Sequence, residues 1–200
     1  MAVASPPQPF MITGVQFMSP QPKSFVLEEK IGLSMTSDSG KIYDEHGQKV
    51  FLIKGKHMTL HDSVWLRHVD GTNILGLKKK LLSLHATTNI VTPDERVVAV
   101  VKKAHVMQIK ASASVYIGGD DSGQPLLAIS GGFRAKNLTI THLPSGIVIA
   151  AVQRKQFTMK NIIFDQDTYN ILIAPNVDIA FILMLCIVVD EMFNDENDSR

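Results

Sequence analysis

A chain of 200 residues with 45% hydrophobic and 20% charged residues has the composition of one globular domain and excludes a largely disordered polymer. At that length a single core buries roughly 70% of the unfolded chain's surface, so no metal or disulfide staple is required. Cys186 stands alone, which excludes an internal disulfide and suits a reducing compartment, and the formal net charge of +1 argues against a dedicated nucleic-acid binder.

Residues 1–23 hold Pro6, Pro7, Pro9, Pro20 and Pro22, a density that predicts an irregular N-terminal segment. Phe10, Ile12, Val15 and Phe17 are the residues expected to pin it across the domain surface. The start lacks the basic and apolar regions of a signal peptide, and Ala2 stands where myristoylation requires glycine. The expected location is therefore cytoplasmic, peripheral at membranes at most.

From residue 24 onward the pattern is strand, turn, strand. Lys41–Tyr43 and Lys49–Ile53 flank Asp44-Glu45-His46-Gly47, a hairpin turn ending on glycine. Val64–Arg67 and Asn73–Leu77 flank Val69-Asp70-Gly71-Thr72. Val97–Val101 and Gln108–Ile117 carry β-branched residues and read as further strands. Two more turns fall at Gly118–Gly123 and Leu143-Pro144-Ser145-Gly146. Gly47 and Gly71 are 24 residues apart, Gly123 and Gly146 are 23 apart, which suggests two similar halves or simply hairpins of ordinary length. Regular turn spacing of this kind predicts a sandwich or a barrel.

The C-terminal segment decides between them. Pro175-Asn176-Val177-Asp178 has the form of a helix start, with Asn176 as the expected cap and Asp178 in the first turn. The next 11 residues, 179 to 189, contain no polar side chain. A helix apolar on every side is surrounded by protein or by lipid. At 1.5 Å per residue the run spans about 16 Å, whereas a bilayer core needs about 30 Å. Asp178, Asp190 and Glu191 flank it, so no positive-inside signature is present either. The prediction is a mainly β, closed antiparallel barrel wrapped around a central hydrophobic helix at about 176–193, followed by an acidic tail at 194–200. Such a barrel keeps no lumen for a ligand.

Pro175 to Leu183, continuing through Val189-Asp190-Glu191, resembles the closing helix of the LURP-one-related family, within the tubby C-terminal-like superfamily. Gly40-Lys41-Ile42-Tyr43-Asp44, Val69-Asp70-Gly71 with Leu75 to Lys80, Val148–Val152 with Arg154-Lys155, and Asp167–Ile171 follow in the family's order. The resemblance covers roughly residues 24–193 and implies a barrel of 12 strands around the helix. It also implies a role without catalysis: plant members are linked to defence against pathogens, the related phospholipid scramblases act at membranes, and tubby proteins bind phosphoinositides through a basic pocket. No tubby ligand motif is present to transfer, and the scramblases' cysteine-rich palmitoylation segment is absent.

No catalytic, metal or cofactor site is expected. His57 and His61 have the spacing of helical metal ligands, but Lys56–Asp62 reads as strand or loop, where that spacing separates them by about 13 Å. There is no Gly-x-Ser-x-Gly elbow, and Gly118-Gly119 and Gly131-Gly132 are not followed by the Lys-Ser/Thr of a phosphate loop. The candidate lipid-binding residues are the basic clusters that follow apolar strands: Lys54, Lys56, Lys78, Lys80, Lys102, Lys103, Arg154 and Lys155. Gathered on one rim or one outer face, they would attract an anionic membrane at about 1 kcal/mol each. The plainer alternative is solvated strand ends that discourage edge pairing. The expectation is a non-enzymatic, monomeric adaptor that binds anionic lipid or a protein partner, with a scramblase-like membrane protein as the alternative.

Overall fold

Alternation decides which way each strand faces. In Lys49–Lys54, Phe51 and Ile53 are buried while Val50, Leu52 and Lys54 are only half-buried, and Val64–His68 buries Val64 and Leu66 in the same rhythm. A computed structural model describes residues 2–29, 40–55, 64–79, 87–103, 111–131, 137–154 and 168–194. Its strands are β1 (Lys23–Glu29), β2 (Gly40–Tyr43), β3 (Lys49–Lys54), β4 (Val64–His68), β5 (Asn73–Lys79) and β6 (Thr87–Val91), then β7 (Val97–Lys103), β8 (Ala111–Ile117), β9 (Leu127–Ser130), β10 (Thr139–His142), β11 (Ile147–Arg154) and β12 (Thr168–Ile173). A single helix, α1 (Ile179–Asn194), follows.

Each strand pairs with its neighbours in sequence, and β1 pairs antiparallel with both β2 and β12, which closes a 12-strand barrel as expected. Closure leaves no free strand edge. Inward side chains from every strand join α1 in one core, and the helix residues from Ala180 to Val189 are at most 5% exposed. The helix satisfies its all-round apolar surface inside the sheet, and about 24 Å of length suffices to thread it.

Odd and even strands run in opposite directions, so the barrel has two unlike rims. One rim carries the tight turns β2–β3, β4–β5, β6–β7, β8–β9 and β10–β11, together with the start of α1. Aspartates organise several of these turns: Asp44 Oδ1 accepts from the N–H of His46 and Gln48, Asp70 Oδ1 from Thr72 and Asp120 Oδ1 from Ser122. The turn Thr92–Arg96 falls between the two glycine pairs noted above and puts Glu95, not glycine, in the left-handed region at φ 66°. That fifth hairpin removes the simple picture of two matched pairs.

Two expectations are corrected. The cap of α1 is Asp178, whose Oδ1 accepts from Phe181 N at 3.0 Å. Asn176 instead takes a left-handed turn conformation (φ 57°), and its carbonyl accepts from Phe10 N. Along the N-terminal segment Phe10 and Phe17 are buried and Ile12 packs against the core, but Val15, on a 3-10 turn, is 76% exposed. The short turn places Phe17 inward, and Val15 therefore faces solvent. Strand β8 is described from Ala111; residues 108–110 of the expected strand lie outside the described residues.

Candidate functional site

The ends of β3, β5, β7 and β11 all point to the rim opposite the tight turns, because these odd-numbered strands are parallel to one another in an all-antiparallel barrel. That rim therefore receives the backbones of Lys54, Lys78, Lys102, Lys103 and Arg154. Lys56, Lys80 and Lys155 lie outside the described residues, one or two positions further along the chain from those strand ends. The helix runs from the tight-turn rim towards the basic one, so buried Asp190 and Glu191 sit near the basic end. Carboxylates at a helix C-terminus are unfavourable against the helix dipole.

The basic side chains are not equivalent. Lys78 Nζ lies 2.7 Å from Glu95 Oε1, and Lys102 Nζ lies 2.8 Å from Asp121 Oδ2 while also standing over the Tyr116 ring. Both ammonium groups thus reach along the outer wall to carboxylates in tight-turn loops. Asp121 raises the pKa of Lys102 above its ordinary value, overcoming the opposing effect of burial. Lys54, by contrast, has no carboxylate partner among the described residues. The structure brings the strand ends together on one rim, and it turns two of the lysine heads away from that rim.

No group of three or more His, Cys, Asp or Glu side chains among the described residues is placed to hold a metal ion. His57 and His61 lie outside the described residues. One contact missed in the sequence is His142 Nδ1 with Ser145 Oγ, 2.8 Å apart. Both belong to the β10–β11 turn, Ser145 Oγ also bonds Ile147 N and the His142 carbonyl, and the imidazole packs edge-on to Phe10. These contacts make it a turn closure. The spacing i, i+3 across a Pro-Ser-Gly turn was the available signal.

Among the described residues no helix is long and apolar enough to cross a membrane. Enclosure of α1 by the barrel also leaves it no lipid-facing side.

Comparison with known proteins agrees with this architecture. The family model described as LURP-one-related matches residues 23–190. Protein LURP-one-related 15 of Arabidopsis thaliana is 24% identical over 191 residues, covering 93% of this chain and 87% of the relative. Protein LURP1 of the same organism is 23% identical over 190 residues, covering 92% and 91%. A crystal structure of an Arabidopsis thaliana protein superposes with a TM-score of 0.67 at 16% identity, covering 90% of this chain and 97% of that one, a likeness of fold.

Proposed function

Because the chain belongs to the LURP-one-related family, we propose that it is a non-enzymatic, monomeric adaptor of the cytoplasm that docks peripherally on anionic membranes through its basic rim. The observation that carries this reading is that the strand ends bearing Lys54, Lys103 and Arg154, with the backbones of Lys78 and Lys102, all lie at the same end of the closed barrel. Phosphoinositides, with their clustered phosphates, are the lipids best matched to such a rim. Lys54, Lys103 and Arg154, together with Lys56, Lys80 and Lys155, are the contacts of first choice. Lys78 and Lys102 hold their ammonium groups on Glu95 and Asp121, which largely neutralise them.

The test is co-sedimentation of detergent-free protein with phosphatidylcholine liposomes, with and without phosphatidylinositol bisphosphate. Binding is expected only with the anionic lipid and is expected to fall with added salt. Replacing Lys54, Lys56, Lys80 and Lys155 by Glu should weaken it at least about a hundredfold, at about 1 kcal/mol for each charge lost. Lys49→Glu, at the opposite rim, should leave it unchanged. Equal binding by the quadruple variant removes the site assignment, and no binding by the native protein turns the reading towards a protein partner.

A further inference from the structure

The tight-turn rim holds a cavity that the lipid-docking reading does not use. Its volume is about 200 Å³, and it lies between the N-terminal segment and the barrel mouth. Phe17, Phe25, Phe51, Val50 and Ile179 supply apolar walls, with the Phe51 ring 6.4 Å from Phe17 and 6.3 Å from Phe25. Gln16, Lys23, Asp44 and Glu45 supply the polar side.

The charges there are unequal. Lys23 Nζ is 2.6 Å from Glu45 Oε1, and this ammonium holds the Glu45 carboxyl below its usual pKa, so the pair is ionised and mutually neutral. Asp44 remains. Its Oδ1 is occupied by the N–H groups of His46 and Gln48, but a carboxylate has about four acceptor positions and so keeps capacity for another donor. A negative group beside aromatic faces selects a cation, which gains from the carboxylate and from the ring quadrupoles together. Size sets the other limit: an apolar cavity of about 150 Å³ already admits benzene. The present space, open on one side, therefore accommodates one aromatic ring with a short side arm.

We propose that this cavity is a binding site for small aromatic amines, with the ring among Phe17, Phe25 and Phe51 and the ammonium beside Asp44. The site is independent of the basic rim, at the other end of the barrel.

Phenethylamine is the probe, titrated into ¹⁵N-labelled full-length protein and followed by amide chemical shifts. Saturable shifts are expected at Phe17, Asp44, Glu45 and Phe51. Phenylacetate, with the opposite charge, should bind at least about fivefold more weakly. Asp44→Asn keeps an acceptor for the turn N–H groups while removing the charge, and should weaken the amine by a similar factor without altering phenylacetate in the same direction. Val50→Phe fills the space from a half-buried position and should abolish the shifts while the protein retains its dispersed spectrum. Absence of saturable shifts, equal binding of amine and acid, or undiminished binding by folded Val50→Phe overturns the proposal.

Discussion

Trp65 and Gly76 show how closely single residues are fitted to the barrel. They are directly opposite on β4 and β5, and a Cβ built on Gly76 would lie 2.9 Å from the indole ring. The missing side chain lets the indole lie flat across the neighbouring strand, where it covers a backbone that glycine would otherwise expose. Gly76→Ala must displace that ring, because the contact is with the fused part of the indole and not with the flexible end of a side chain. The expected cost is about 1–3 kcal/mol, read as a lower urea midpoint. Trp65 is the only tryptophan, so a shifted native-state emission maximum should accompany the loss. Unchanged stability and emission would show that the indole does not rest on Gly76. Residue chemistry also explains which turns the sequence reveals. Gly47, Gly71 and Gly146 occupy positive-φ positions and mark their turns openly. Thr92–Arg96 escaped notice because Glu95 takes the left-handed position that glycine or asparagine usually fills. The ion pairs of Lys78 and Lys102 were hidden differently: their partners are 17 and 19 residues away, brought into reach only by the tilt and pairing of β5 to β8.

Among the elements, the junction of the N-terminal segment with α1 depends most on one group. Asp178 is fully buried, and its carboxylate accepts from Ile12 N and Thr13 N through Oδ2 and from Phe181 N through Oδ1. It caps the helix and ties down the segment that crosses the barrel mouth. The backbone reinforces it: Phe10 N donates to Asn176 O, Asp178 N donates to Phe10 O, and Ser5 Oγ donates to Pro175 O. The sequence showed that a helix starts here, with an aspartate at its beginning. It did not show that a chain segment more than 160 residues away needs the same carboxylate, because nothing local signals so distant a partner. Asp178→Ala removes the cap, worth about 1 kcal/mol, and leaves two further N–H groups without their acceptor at about 1–3 kcal/mol each. A loss of about 3 kcal/mol or more is expected in urea denaturation. Limited proteolysis should then cut before β1 faster than in the native protein. Asp178→Asn retains one acceptor oxygen and should fall between the two. A fully stable alanine variant with an uncut N-terminal segment would mean that the backbone bonds alone hold the junction.

At the scale of the whole molecule, closure makes the helix inaccessible unless the barrel opens. The sequence disclosed the central helix because only a closed sheet or a membrane can cover 11 apolar residues on all sides, and the run is too short for a membrane. The closing pair, β1 with β12, was not readable locally, since it joins Lys23 to Ile173, 150 residues apart. Cys186, at the middle of α1, provides a way to measure how firmly the ring is shut. Its thiol is 1% exposed, and burial, aided by the Asp190 carboxylate, pushes its pKa from 9.0 up to about 12. Folding favours the neutral thiol, so this contribution to stability is fully present below about pH 9 and is lost as pH rises towards 12. Near pH 8 the native thiol is therefore both shielded and protonated, and a thiol reagent reacts only after opening. If no part of the barrel opens alone, the free energy from Cys186 labelling, measured where reclosing outpaces reaction, should equal the urea unfolding free energy. Both should fall in the range of about 5–15 kcal/mol typical of such domains and agree within about 1 kcal/mol. A labelling value several kcal/mol lower would identify a strand pair that parts without global unfolding, and the enclosed helix would then be reachable from the native state.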